Sequence, residues 1–459
     1  MKRKSKHIRL RFKIWHGIVA LLLLLLLLLF VLFRITGSHK LKKRVQVLQS
    51  RGHPVTLEEL ERLYNLPTGA QNAADVYLAA FSNYKKWDRD AMRALPIAGK
   101  ASLPRTKPLD APTRQLVDRF LSDNQQALSL LHKAASIEHC RYPDDLNDFA
   151  LESKAPLRND VRVAAKLLRL EALIASEDKD ADRFIDSIRV SLALARSVDG
   201  PLMNHRLTHN NVRGHTYGSI ERAINRIPLT DEQLLKLSAW IKASDSSEGY
   251  KRVLLAEQCL GLHTFIAPLP EVSKRIGEQM RIRDSKVLHR KLIKSRMLGL
   301  NSKYAIVYID HMQKSINALE LPDSDRLDAF SIIQENFRSG KQRGVPFHLL
   351  WPTSAWTLKL DIMRQAHYRA TQTGLAVERY RLAEGQLPKS LDNLVPAYME
   401  IVPEDPFNGQ SLRYRRLKTG FVVYSVGEDL SDNGGAERNS KKRDERGKPL
   451  FDITFIVER

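Results

Sequence analysis

Cysteine is nearly missing from these 459 residues, with only Cys140 and Cys259 present. Two thiols are too few for a disulfide framework or a thiolate metal centre. In an exported body the two could pair, although Cys259 lies in the apolar stretch "VLLAEQCLGL", where a buried free thiol fits equally well. There is also no phosphate-cradling glycine loop followed by Lys-Ser or Lys-Thr, no nucleophile elbow and no Cys-pair metal motif. Negative charge is absent from the first 51 residues, which hold thirteen Lys and Arg; the formal charge of +22 leaves only +9 for the rest. The basic excess therefore belongs mostly to a membrane flank. No aromatic-basic recognition motif accompanies it, so nucleic acid is not an expected partner.

What that flank surrounds is a nearly unbroken apolar run from Gly17 to Phe33, extended upstream by Ile14 and Trp15. A helix needs roughly 20 apolar residues to cross the hydrocarbon core, whereas the apolar region of a cleaved signal peptide is about 7–15 residues long. The run is long and "RITGSHK" is a poor cleavage site, so an uncut signal anchor is expected at 14–33. Seven basic residues precede it and five follow soon after. The positive-inside bias then leaves 1–13 as a cytoplasmic tail and sends the remainder across a bacterial inner membrane into the periplasm.

Beyond the anchor, 34–112 reads as a membrane-proximal stem and linker. It includes a helix start at Thr56 with Glu59 as its capping-box partner, and the proline-bearing "LPIAGKASLPRTKPLDAPT". From 113 to 354 the pattern is helical. Val161, Ala164, Leu168 and Ala172 recur at three- and four-residue intervals, as do Phe184, Ile188 and Leu192. Thr230 and Gln233 mark another capped start. Short polar breaks favour antiparallel hairpins, an irregular array reminiscent of tetratricopeptide-type solenoids without an exact repeat. Residues 355–459 then give a long helix ended by Gly385 and three strands, "SLRYRRL", "GFVVYSVG" and "FDITFIVE", with Lys418, Thr419 and Gly420 at the first reversal. The expected fold is mainly α, with a small C-terminal α+β module carrying a three-stranded antiparallel sheet.

Residues 375–455 carry "RYRLAEGQLPKSLDNLVPAYM", then Asp405-Pro406-Phe407 with Gly409, then "YSVGEDLSDNGG" and a late "FDI". This ordered series resembles the tail of the major pseudopilin of bacterial type II secretion. The resemblance implies calcium as a possible ligand, held here by Asp429, Asp432 and Asp452. The apolar run has no acidic residue and no prepilin processing site, so the tail is expected to be a borrowed folding module. The whole layout is similar to bacterial single-pass proteins that join an anchor, a helical body and a pseudopilin-like tail.

Candidate chemistry is sparse. His205 and His209 lie four apart with His215 nearby, a spacing that suits a transition metal, but a surface or hydrogen-bonded structural role is preferred because no glutamate lies between the pair and no carboxylate ligand is evident. Ser82-x-x-Lys85, Ser122-Asp123-Asn124 and Lys418-Thr419-Gly420 match the order of the serine penicillin-binding motifs, and are read as chance because their placement is wrong. A basic segment with Lys274, Arg275, Arg281, Arg283, Arg290, Lys291 and Lys294 fits an amphipathic helix pair that could meet an anionic surface. The expectation is a membrane-anchored, non-catalytic interaction or scaffolding protein with an envelope protein partner, linked to secretion or envelope assembly. The alternatives are an envelope enzyme of hydrolase type with its site in the helical domain, or a binder of anionic lipid or cell-wall polymer.

Overall fold

The computed structural model describes residues 2–101, 103–143, 156–245, 248–270, 293–339, 355–437 and 450–459, with single positions 272, 286, 290 and 443. Helix α1 (Lys2–Ser50) is continuous for 49 residues. Its apolar part is long enough to cross a membrane and is unburied by protein, with Leu21 to Leu29 all exposed. Contact with the body starts just past that part. The Arg34 side chain lies against Gly299, Gly37 faces Ser302, and Arg44 pairs with Asp310 at 3.3 Å. Leu41, Val45 and the buried Leu48 then pack into a core with the helix around Asp310.

The short helices owe their starts to local chemistry. Thr56 and Glu59 form a complete capping box before α2 (Leu57–Arg62). Next come α3 (Ala74–Ser82) and α4 (Arg89–Ala94). Asp110 caps α5 (Ala111–Asp123), which is followed by α6 (Gln125–Ala135). Three longer helices, α7 (Pro156–Glu177), α8 (Ala181–Ser197) and α9 (Met203–Ile224), pack on one another. Thr230 and Gln233 complete a second capping box at α10 (Asp231–Ala243). Then follow α11 (Gly249–Ile266), α12 (Asn301–Ala318) and α13 (Asp323–Ser339). The last long helix, α14 (Ala355–Glu384), stops at Gly385, whose φ of 68° belongs to the left-handed region that glycine tolerates.

Strands β1 (Arg413–Leu417), β2 (Gly420–Ser425) and β3 (Ile453–Glu458) form an antiparallel sheet in that order. Leu417 pairs with Gly420, which leaves Lys418 and Thr419 as a two-residue turn. A Cβ on Gly420 would stand 1.9 Å from the Val457 carbonyl oxygen, so only glycine fits there. Alternation sends Phe421, Val423, Phe455 and Val457 inward against α8, α9, α10 and α14, while Val422, Tyr424 and Ile456 form a smaller cluster on the other face.

The sheet thus shares one core with the helical body, and 354/355 is not a core boundary. Nor is 112/113: Ala73, Tyr77 and Leu95 pack in the same cluster as Val117, Phe120, Leu168 and Val212. The proline-bearing stretch read as a linker is a strap. The Leu109 N–H donates to Glu177 at 3.0 Å, and Arg105 reaches Glu221 at 3.2 Å, Glu458 at 3.1 Å and Glu437. Burial raises the Glu221 carboxyl to about 8 in spite of Arg105.

At Gly374 an added Cβ would meet the Phe455 ring at 2.2 Å. Gly374→Ala should therefore cost about 1–3 kcal/mol by overpacking. In urea unfolding, Phe455→Leu in the same chain should return part of that loss.

Candidate functional site

Helix α9 runs through the middle of the body although its sequence is polar, with Arg206, His209, Asn210, Arg213 and Arg222 all buried. Each of its three buried arginines finds a carboxylate from another element. Arg206 Nε donates to Asp361 of α14 at 2.7 Å, and Asn210 donates to the same oxygen at 2.7 Å. Arg213 meets Asp245 at 2.8 Å with its guanidinium over the Tyr217 and Tyr368 rings, and Arg222 meets Glu177 at 2.8 Å. The Arg206 guanidinium holds the buried Asp361 carboxyl below its usual range against the pull of desolvation.

Two recesses open beside this layer. The first is an apolar groove of about 210 Å³ where α3, α6 and α7 meet. Phe81, Tyr84, Leu131, Val163 and Leu167 form its walls, and Ala80, Ala127 and Ala164 are small enough to leave it open. Lys86 and Asp160 supply its charged lining. Its lip is stiffened by aromatic packing, with Tyr84 and Trp87 edge-on to Phe120 at 6.1 and 5.0 Å.

The second recess is a charged cleft of about 610 Å³ bounded by α5, α6, α7 and α8. His132 of α6 stands in its wall between two carboxylates, with Nδ1 2.8 Å from Asp186 and Nε2 2.9 Å from Glu171. Ser187 also donates to Glu171, and Arg189 to Asp186. An imidazole donates from both nitrogens only when protonated. Accordingly the His132 pKa is raised, first by the hydrogen bond to Glu171 and then by the charges of both carboxylates, against desolvation. When protonated, the imidazole engages both N–H groups as a clasp across three helices and has no lone pair for base chemistry. No sequence spacing announces it, since its partners lie 39 and 54 residues away.

The residues singled out in sequence fall elsewhere. His209 is buried with Nδ1 2.9 Å from the Ala195 carbonyl, and burial lowers its pKa to about 4. His205 lies under Gly200, and His215 faces a different part of the body. Among the described residues no three His, Cys, Asp or Glu side chains come together as a metal site. The C-terminal carboxylates are taken up by the loop itself. Asp452 accepts from the Asn433, Gly435 and Ala436 N–H groups and the Asn433 amide; Asp432 accepts from Tyr424 and Gly434 and faces Arg413; Asp429 accepts from Ser431 and Asn433.

Neither cysteine is in a disulfide, and burial pushes the Cys259 thiol up to about 12. Ser82 ends α3 and donates to Leu78, and Asn124 bonds the Lys85 backbone at 2.7 and 3.1 Å, so the first two penicillin-binding-like tripeptides are neighbours. Lys418-Thr419-Gly420 lies in the β-hairpin, away from them. Of the basic segment, Lys274, Arg275, Arg281, Arg283 and Lys291 lie outside the described residues; Arg290 and Lys294 are helical and exposed.

No family model, curated protein or solved structure matches this chain.

Two outcomes follow. Because the folded-state pKa of His132 is raised, its contribution is full below the unfolded value of about 6.5 and is lost as pH climbs through the folded value. The stability gap between wild type and His132→Asn should be wider at about pH 6 than at about pH 9. Asp452→Asn turns an amide toward N–H donors and should cost about 1–3 kcal/mol. Thermal unfolding should show that loss equally with calcium and with chelator; a loss confined to calcium would assign Asp429, Asp432 and Asp452 to a metal.

Proposed function

We propose that this chain is a non-catalytic interaction module tethered to a bacterial inner membrane, its N-terminus cytoplasmic and its body periplasmic. In this reading it holds an envelope protein partner. The carrying observation is the apolar groove across α3, α6 and α7, an opening of about 210 Å³ between helices among the described residues. Such a concavity takes an apolar anchor residue from a partner, the usual source of interface affinity. The imidazoles support the same reading. A hydrolytic site would need His205, His209 and a carboxylate around one open pocket, but His209 is sealed in the core and His132 has both nitrogens engaged. The excess of basic residues ahead of the apolar run favours the stated orientation.

A photo-crosslinking amino acid placed at Tyr84, on the groove's lip, tests this in living cells. The expected result is one discrete protein adduct from that position and none from the exposed Leu235 on α10. Adducts of equal pattern from both positions, or none from Tyr84, would reject the groove as a docking site.

A further inference from the structure

Leu430 is the anomaly of the C-terminal loop. It is 60% exposed and has a φ of 56°; among the described residues it is the one large apolar side chain that is both exposed and in the left-handed region. The Cβ of leucine disfavours that backbone and its surface disfavours water, whereas glycine or asparagine would avoid both costs. The loop nonetheless fixes it there. The Leu430 N–H donates to the Gly427 carbonyl at 3.3 Å, the Ser431 N–H to Asp429 at 3.0 Å, and the Asn433 amide to Asp429 at 3.2 Å and to the Ser431 carbonyl at 3.0 Å. Residues 428–432 are all exposed, so Leu430 sits at a tip with Glu428, Asp429 and Asp432 as its acidic neighbours in sequence. Glu428 meets Lys359 at 2.8 Å and Asp432 faces Arg413 at 3.6 Å.

The α3–α6–α7 groove has the complementary form. Its volume of about 210 Å³ is below the roughly 300–1,000 Å³ of sites that enclose a whole small ligand, and suits one anchoring side chain. Lys86 lines this groove and also an open recess of about 770 Å³ along α4, so the two are continuous. Arg89, Met92 and Arg93 share one side of α4 by their three- and four-residue spacing, and the Lys100 N–H donates to the Arg93 carbonyl at 2.9 Å, which brings Lys100 beside them. Lys86, Arg89, Arg93 and Lys100 are exposed, and among the described residues none of them is in an ion pair. The carboxylate of the recess, Asp88, is engaged by the Asp90 and Ala91 N–H groups at the start of α4, and that of the groove is Asp160.

We propose that the occupant of the groove is the C-terminal loop of a second copy of this chain: Leu430 enters the apolar groove while Glu428, Asp429 and Asp432 face Lys86, Arg89, Arg93 and Lys100. The inference rests on the reading of the groove as a docking site and names what docks there. Within one chain the loop lies by the first turns of α14, where Glu428 meets Lys359, and none of its residues lines the groove. The contact therefore joins different patches of two copies, a heterologous contact that leaves a loop and a groove for further copies. A tip already fixed by its own hydrogen bonds loses little freedom on docking. An apolar anchor beside charges of opposite sign gives affinity at the centre and orientation at the rim.

Two differently tagged full-length copies are co-expressed in cells, with the photo-crosslinking amino acid at Tyr84 of the first. The expected adduct carries the second tag. Leu430→Asn in the second copy should cut that adduct at least about tenfold, as loss of an anchor does. The same change in the first copy should leave it intact, because a copy that offers its groove does not use its own loop. Arg89→Glu with Arg93→Glu should act the other way round, cutting the adduct from the first copy only. Asparagine tolerates a φ of 56°, so the Tm of purified Leu430→Asn protein should hold or rise, which separates lost docking from lost folding. An effect of Leu430→Asn that is equal from either copy, or absent from both, overturns the inference. A Tyr84 adduct with a different protein alone also overturns it but leaves the groove a docking site; no adduct at all removes both.

Discussion

The architecture depends on satisfying the buried polar groups of α9. A central helix that carries Arg206, Asn210, Arg213, Arg222 and Asn225 into the interior is stable only if each neighbour offers a matching acceptor at the right height. Asp361, Asp245 and Glu177 do so from three elements, and Asn225 adds the edge of the sheet, donating to the Ile456 carbonyl at 2.9 Å and accepting from the Glu458 N–H. Removing one partner would strand a charge in the core, which is why these contacts specify helix register more than they add net stability. Greasy packing alone would let the helices slide.

Against that frame, the α3–α6–α7 groove is a departure: apolar surface that stays open between helices among the described residues. Its α7 wall is Val163 and Leu167, while Val161, Ala165 and Leu168 of the same helix sit in the core. One helix, buried along much of its circumference, thus serves both the interior and the groove.

Much of the fold was legible because its determinants are local. The Thr56–Glu59 and Thr230–Gln233 boxes, the stop at Gly385 and the alternation of β2 are each set within a few residues, and the structure has them all. Domain limits were not legible, since a proline-bearing stretch looks like a linker whether it hangs free or, as here, buries Leu95 and ties Arg105 to three glutamates. The ion pairs that organise α9 span 32 to 155 residues, beyond the reach of any spacing rule. The same holds for His132. Within the histidine-rich run only His209 of the three imidazoles packs the interior, and no spacing announces which one does, because a polar run at helical spacing reads the same on a surface as in a core.

Helix α1 carries a mechanical consequence. At 1.5 Å per residue its 49 residues extend about 74 Å, of which roughly 30 Å suffices for a bilayer's hydrocarbon. Its final turns are clamped to α12 through Leu41, Val45 and Leu48 without any break between clamp and apolar run. With its apolar run in a bilayer, a body built this way would stand at a set height and could not swivel on α1, so a pull or twist on the groove would travel down a stiff rod into the lipid.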